Sequence, residues 1–196
     1  MNFLAHSILS PEFPLIRLGN TFGDFVKGSK MIGIHPELKL GVQLHREIDH
    51  FTDNHFLVKE VGQIFKPVLA RYSGIMSDMV FDYFLAKNWS DYSDQSLKSY
   101  VTELFFEYDL CKENLTERIN TVAPIMKMHD WMLQYQSIGG LVNILKQMSN
   151  RINREVRLED AIPVLLNNEQ ELQMKFSLFF NELLIEFPLN RSKSTF

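Results

Sequence analysis

The spacing of apolar residues along this chain predicts helices. A row of apolar residues follows Pro36 at steps of four, four and three residues: Leu40, Leu44, Ile48 and Phe51. Such a row forms one stripe on a helix, and Pro36 suits its first turn, so a helix is predicted from about residue 37 to residue 54. The same spacing predicts later helices at about 56–71, 74–88, 96–110, 115–134, 138–150, 158–167 and 168–187. Alternating β-branched runs are almost absent, so the fold class is predicted to be all-α.

Composition indicates one folded domain. The chain has 196 residues, of which 45% are hydrophobic and 22% charged, and a chain of this length buries roughly 70% of its unfolded surface on folding. No repeat or long linker divides it, so one helical domain is expected over residues 1–189, with a frayed polar tail at 190–196. Asn114, three residues before Glu117, is the predicted N-cap of the helix over 115–134.

Charge and cysteine content favour a cytoplasmic protein. The single Cys111 cannot form an internal disulfide. The N-terminus lacks the basic leader and cleavage pattern of a signal peptide, and no apolar run reaches about 18 residues. A net charge of −4 opposes general binding to polyanions. We therefore expect neither a membrane nor a nucleic acid as a partner.

Candidate chemistry concentrates near the N-terminus, where five of the six histidines fall within the first 55 residues. His45, Asp49 and Asp53 follow one another at steps of four, so their side chains form one row on the first predicted helix. Two interpretations remain open at this point. The row either binds a metal ion or is a solvated face with a His–Asp hydrogen bond.

Two carboxylates interrupt the apolar face of the helix that follows Gly74. Asp78 and Asp82 lie on the same face as Ile75 and Leu85. A buried, unpaired carboxylate costs several kcal/mol, so these residues need a cation. That cation is either a metal ion shared with the His45 row, or Arg46 or Arg71.

The mixture of imidazole and carboxylate ligands is typical of sites for Mn²⁺, Mg²⁺, Fe²⁺ or Zn²⁺, and the excess of oxygen donors favours the harder ions. An ion of this kind can activate water and neutralise a phosphate, which indicates phosphoester hydrolysis. Lys27, Arg46 and Arg71 are then candidates to hold phosphate oxygens.

A glycine-rich segment from Gly19 to Gly28 contains Asp24 and Lys27, and its spacing matches neither a phosphate-binding P-loop nor a dinucleotide fingerprint. It is either a turn with solvated charges or a functional loop that adds Asp24 to the ligands.

His129 and Asp130 spell the dipeptide of a phosphohydrolase class. With no other ligand nearby in sequence, this dipeptide is interpreted as unrelated to the site.

Four motifs together carry a family resemblance. They are NFLAH, GNTFGDFVKG, LHREIDHFTDNH and GIMSDMVFDYFLAKNW, which begin at Asn2, Gly19, Leu44 and Gly74. In this order and spacing the chain resembles the acyl carrier protein phosphodiesterases, and the likeness extends more loosely through DWMLQY and MSNRINR. The resemblance implies a single-domain helical bundle related to the HD-type phosphohydrolases. It also implies a Mn²⁺-dependent enzyme that removes phosphopantetheine from holo acyl carrier protein and leaves the free serine, with Mg²⁺ or Fe²⁺ as alternative ions.

The resemblance also implies roles for individual residues. The metal ligands would be Asp24, His45, Asp49 and Asp78. The catalytic residues would be Asp49, Asp82, Arg46 and Lys27, with Asp53 and His6 in support.

Two other function classes remain open: an HD-like metal-dependent phosphohydrolase acting on a nucleotide or another small phosphoester, and a non-enzymatic helical interaction module.

An acidic carrier protein needs a basic surface on an enzyme of net charge −4. Arg151, Arg154 and Arg157 recur every three residues, so they would form one substrate-binding ridge if the preceding helix continues through them. The long neutral phosphopantetheine arm also needs a groove. Aromatic residues available for its walls are Phe22, Phe25, Tyr72, Tyr83 and Trp89, most of which are expected in the core.

Overall fold

A computed structural model describes residues 3–28, 31–152 and 156–188, and within these ranges every regular element is helical. The predicted all-α, single-domain class is confirmed. The α-helices, in chain order, are α1 (Phe3–Ile8), α2 (Pro14–Thr21), α3 (Pro36–Asn54), α4 (Phe56–Leu69), α5 (Ser73–Lys87), α6 (Leu97–Cys111), α7 (Glu117–Met128), α8 (Trp131–Gln134), α9 (Ile138–Ile152), α10 (Ile162–Asn167) and α11 (Glu169–Glu186). Short 3₁₀ turns join several of them. The predicted tail at 190–196 lies outside the described residues.

The long helices match their predicted bounds within a few residues, whereas the short ones do not. Helices α1 and α2 were not predicted, because six and eight residues are too few to display a repeating apolar stripe. The helix predicted over 115–134 is two helices, since Asp130 has a left-handed backbone with φ 49° that ends the first one. The predicted N-cap at Asn114 is also wrong: the Thr116 side chain accepts the Ile119 backbone N–H at 3.3 Å.

Aromatic packing between α5 and α11 forms the centre of the core. The rings of Phe81 and Phe179 stack with centroids 5.1 Å apart, and Phe84 stacks on Phe176 at 5.9 Å. Every residue of α5 from Met79 to Ala86 is buried. A helix enclosed on all sides has no solvated face for a carboxylate, so Asp82 lies inside the protein.

Close packing of α2 on α3 builds the region that contains most of the candidate residues. A Cβ atom on Gly41 would lie 2.1 Å from the carbonyl oxygen of Ile16, and one on Gly19 would lie 2.4 Å from that of Leu38. The two helices can approach this closely only because both positions are glycine. Helix α1 packs on both α2 and α5. Helix α5 was expected against the helix of His45 but packs mainly on α1 and α4.

Over the described ranges, no helix combines the length and apolar character that crossing a membrane requires.

Candidate functional site

Two histidines from different helices converge on one carboxylate. His6 on α1 places Nε2 3.1 Å from Oδ1 of Asp49, and His45 on α3 places Nε2 3.1 Å from Oδ2 of the same residue. Both rings are buried and stack with centroids 3.9 Å apart, while Asp49 is partly exposed. One donor atom from each residue lies within 4.8 Å of the others. In the described part of the chain, this His6–His45–Asp49 cluster is the group whose geometry suits a metal ion.

Asn20 fixes the orientation of both imidazole rings. His6 Nδ1 donates to the side-chain oxygen of Asn20 at 3.0 Å, and His45 Nδ1 donates to its backbone oxygen at 2.7 Å. The Asn20 amide nitrogen donates to the carbonyl of His6 at 2.8 Å, which determines which way the amide points. Each ring therefore carries its proton on Nδ1. Nε2 of each ring faces Asp49: a protonated ring donates to the carboxylate from this atom, whereas a neutral ring offers a lone pair there to a metal ion.

Hydrogen bonds dominate the electrostatics of the cluster. Partial burial of Asp49 acts to raise its pKa, but the hydrogen bond from His45 and the contact with His6 outweigh it and hold that pKa far below its usual value. Burial of His45 acts in the opposite sense, yet its hydrogen bonds to Asp24 and Asp49 raise its pKa to about 9. Burial lowers the pKa of His6. The cluster thus favours one ionised carboxylate together with a positive charge beside it.

Asp24 lies at the exposed edge of this cluster, on the 3₁₀ turn Gly23–Phe25. Its Oδ1 is 3.4 Å from His45 Nε2, and this hydrogen bond lowers its pKa. The turn fits closely against α3, because a Cβ on Gly23 would lie 2.4 Å from Cγ of His45. Arg46 holds the following loop by donating to the carbonyls of Val26 and Gly28 at 3.3 and 3.0 Å. Lys27 is exposed on the same loop.

Asp82 is fully buried and holds the first turn of α1. Its two carboxylate oxygens accept the backbone N–H groups of Leu4 and Ala5 at 2.9 and 3.3 Å, just before His6. The pairing with Arg46 or Arg71 that the sequence left open is thus replaced by backbone donors. Burial raises the pKa of Asp82 to about 7, against the opposing effect of the Leu4 hydrogen bond. Asp82 therefore anchors the helix that carries His6.

Asp78, one turn earlier on α5, is half-buried. It lines one cleft together with Asp24 and another together with Asp53, which is exposed at the end of α3. The close group of donor atoms contains neither Asp24 nor Asp78. The structure thus brings His45, Asp49 and Asp24 together as the sequence predicted, and leaves Asp78 beside them.

Sequence reasoning gave His6 a supporting role and missed Asn20. Nearly forty residues separate His6 from His45, so no helical spacing connects them. The available signal was that both residues lie inside the four motifs. His6 is the last residue of NFLAH, and Asn20 is the second residue of GNTFGDFVKG. His129 and Asp130 lie at the exposed end of α7 and outside the cluster.

The predicted helical ridge of arginines is wrong in one respect. Helix α9 ends at Ile152, and Arg157 precedes the separate 3₁₀ turn Leu158–Ala161, so Arg151 and Arg157 do not share one helix. Arg157 pairs with Glu159 and Asp160 at 3.5 and 3.6 Å. Arg151 lies over the Trp131 ring at 5.0 Å, and Arg154 is outside the described residues.

Comparison with known proteins agrees with the motif resemblance. The sequence profile of a family described as acyl carrier protein phosphodiesterase matches residues 1–183. Proteins named acyl carrier protein phosphodiesterase from Escherichia coli K12 / DH10B and from Escherichia coli O139:H28 (strain E24377A / ETEC) are each 27% identical over 187 residues, which cover 95% of this chain and 97% of theirs. No solved structure matches the chain. With a profile that matches almost its whole length, the chain belongs to the acyl carrier protein phosphodiesterase family.

Proposed function

We propose that this protein hydrolyses the phosphodiester that joins phosphopantetheine to a serine of holo acyl carrier protein. Water adds to phosphorus, the bond to the serine oxygen breaks, and that oxygen takes up a proton. The products are apo acyl carrier protein and phosphopantetheine. The observation that carries the proposal is the His6–His45–Asp49 cluster, whose rings Asn20 orients, in a member of this family.

The donor set of the cluster fits a divalent metal ion. Two Nε2 atoms held by Nδ1–H donation on their far side are typical of metal-ligating histidines. Asp49 supplies an oxygen between them, and Asp24 offers a second at the solvent edge. Nitrogen and oxygen donors in this proportion suit Mn²⁺, with Mg²⁺ or Fe²⁺ as alternatives. When bound, such an ion supplies Lewis acidity at the phosphate and lowers the pKa of water.

The remaining candidate residues have distinct roles in this proposal. Asp49 stays ionised and keeps both imidazoles in place. Arg46 positions the Asp24 loop through two backbone carbonyls, and Lys27 on that loop is the candidate cation for a phosphate oxygen. Asp78 is a further candidate ligand at the cleft it shares with Asp24. Asp82 is a positioning residue, because it fixes the helix that carries His6.

Docking of the acidic carrier protein is proposed to use Arg151 rather than the whole predicted ridge. Glu159 and Asp160 already neutralise much of the charge of Arg157. Arg151 is exposed and lines the same cleft as Asp24, so its charge lies beside the candidate site. Electrostatic attraction of this kind mainly steers encounter and orientation.

Mass spectrometry of holo acyl carrier protein incubated with the purified protein tests the proposal. We expect loss of the phosphopantetheine mass with Mn²⁺ and none after chelation. The matched control is apo carrier protein, whose mass should not change. Intact holo carrier protein under every metal condition would refute the proposal. Hydrolysis of a nucleotide or simple phosphodiester in that case would instead favour a small phosphoester as substrate.

A further inference from the structure

A cavity of about 320 Å³ adjoins the His6–His45–Asp49 cluster. Asp24 connects the two, since it lines the cavity and also lies 3.4 Å from His45. Most of the remaining lining is apolar or aromatic and includes Phe3, Phe25, Met79, Trp131, Tyr135 and Ile144. A molecule whose phosphate lies at the cluster therefore has an adjoining apolar space for the group it carries.

The charges around this cavity select against a second anionic group. Asp24 and Asp78 both line it, and Arg151 is the cation in the same lining. Asp24, Arg151 and Ile152 are exposed, whereas Trp131 and Ile144 are buried, so the cavity opens to solvent on the side of the charged residues. Its volume is at the small end of ligand pockets, which span roughly 300–1,000 Å³. The cavity thus suits a slender neutral chain.

Trp131 adds an independent observation. The side chain is only 6% exposed, and its Nε1–H is buried with no acceptor within the described parts of the chain. Leaving a buried donor unpaired is unfavourable, so such groups normally have a partner in protein, water or ligand. A chain with carbonyl oxygens that enters this cavity would bring acceptors to the wall that Trp131 forms.

We propose, on the basis of the proposed function, that this cavity binds the pantetheine part of the substrate arm. Pantetheine is neutral, carries a dimethyl group that suits aromatic walls, and contains two amides whose carbonyls accept hydrogen bonds. With the phosphodiester at the cluster, the arm enters past Asp24 and lies along Phe3 and Trp131, whose ring centroids are 6.4 Å apart. Arg151 closes over the Trp131 ring.

Three of the five aromatic residues named from the sequence lie in the core, as expected for most of them. Of the five named from the sequence, Phe25 lines the cavity. Phe22, Tyr83 and Trp89 are buried in the core, where they pack with other side chains. Phe3 and Trp131 were not singled out, because nothing in their local sequence distinguishes a cavity wall from a core position.

Saturation-transfer NMR with free pantetheine and the metal-free protein tests the assignment. Free pantetheine has no phosphate, so its binding requires neither a metal ion nor hydrolysis. We expect saturation transfer to pantetheine with the wild-type protein. Ile152→Trp, which places a large ring at the opening of the cavity, should weaken binding at least tenfold. Leu166→Trp is the matched control, because Leu166 is similarly exposed on α10 and lines no part of this cavity.

A second readout links the cavity to the substrate. Ile152→Trp should raise KM for holo carrier protein at least tenfold, whereas Leu166→Trp should not. If Ile152→Trp fails to fold by circular dichroism, Met148→Phe fills the same cavity from its wall. Absence of saturation transfer, equal binding by the cavity variant, or displacement of pantetheine by adenosine would overturn the assignment. Failure of the proposed function alone would appear differently, as intact holo carrier protein beside retained pantetheine binding.

Discussion

The surroundings of Asp49 and Asp82 shift the pKa of the same type of side chain in opposite directions. Asp49 is partly exposed and contacts the imidazoles of His6 and His45, so its pKa falls far below the usual value. Asp82 is enclosed by the core and receives two backbone N–H groups, and burial raises its pKa to about 7. Each carboxylate lies four residues after another polar site candidate on its helix, His45 before Asp49 and Asp78 before Asp82. The groups that contact the two carboxylates differ, since they are imidazoles in one case and backbone N–H groups in the other. A carboxylate on an apolar helix therefore becomes a candidate ligand or a structural group according to what packs against it.

The largest expected effect is at His45. His45→Ala removes one of the two imidazoles, so we expect loss of Mn²⁺ binding by metal analysis and a fall in carrier-protein hydrolysis beyond the roughly 10–100-fold that loss of an outer-shell partner causes. The helical circular dichroism should remain near wild type. His50→Ala is the matched control, since His50 lies on the same helix and is exposed. Unchanged metal stoichiometry in His45→Ala would contradict the assignment.

Asn20 should give the next largest effect, because it orients both rings without being a ligand. Asn20→Ala removes the acceptor of His6 Nδ1 and the donor to the carbonyl of His6. We expect Mn²⁺ affinity to fall roughly 10–100-fold by titration calorimetry, as for other outer-shell partners.

The control for Asn20 is Asn168→Ala, which removes a comparable bond to the carbonyl of Val164, in a different part of the chain. It should leave the affinity unchanged. Equal affinity in Asn20→Ala and wild type would mean that packing alone orients the rings.

Neutralising Asp49 and neutralising Asp82 should change the free energy of unfolding in opposite directions. In metal-free protein at neutral pH, Asp49→Asn removes the ionised carboxylate that accepts a hydrogen bond from His45, which its pKa of about 9 keeps protonated. The free energy of unfolding should fall by about 1–2 kcal/mol, after allowance for the partial exposure of Asp49. Urea denaturation of both proteins measures the difference. An increase in stability would show that protonated His45 is not paired to an ionised Asp49.

Substitution of Asp82 should stabilise the protein, and the size of this stabilisation should depend on pH. Its folded pKa of about 7 exceeds the ordinary value of 3.8, so its stabilising contribution is complete below about pH 4 and is lost as pH rises through 7. In Asp82→Asn the side chain cannot ionise, so its contribution to stability does not fall as pH rises. Its melting temperature relative to wild type should therefore rise between pH 5 and pH 7.5, as measured by scanning calorimetry with chelator present. A difference independent of pH would place the folded pKa of Asp82 near its ordinary value.

Sequence patterns predicted those parts of the protein that depend on local spacing. The bounds of α3 and the four-residue step from His45 to Asp49 both follow from helical geometry. The predicted apolar stripe is wrong in part: Leu40 is exposed, and the buried face of α3 instead includes Leu38, Val42 and His45 as well as Ile48.

Asn20 and His6 reach the site through the crossing of α2 and α3 and the docking of α1, and these are tertiary contacts that no local period encodes. The buried state of Asp82 was foreseeable from its apolar face, but its backbone partners were not, because α1 is too short to be recognised.

The smallest effect concerns the two described arginines of the predicted ridge. Arg151→Glu should weaken binding of holo carrier protein about two- to fivefold, the scale of one exposed charge. Arg157→Glu should change it less, because Glu159 and Asp160 already pair with Arg157. Both differences should shrink as salt rises, since screening limits surface charges to about 8 Å near physiological ionic strength. KM measured at low and moderate salt distinguishes the two sites. A larger effect at Arg157 would mean that the carrier protein docks at the turn Leu158–Ala161 and displaces those ion pairs when it binds.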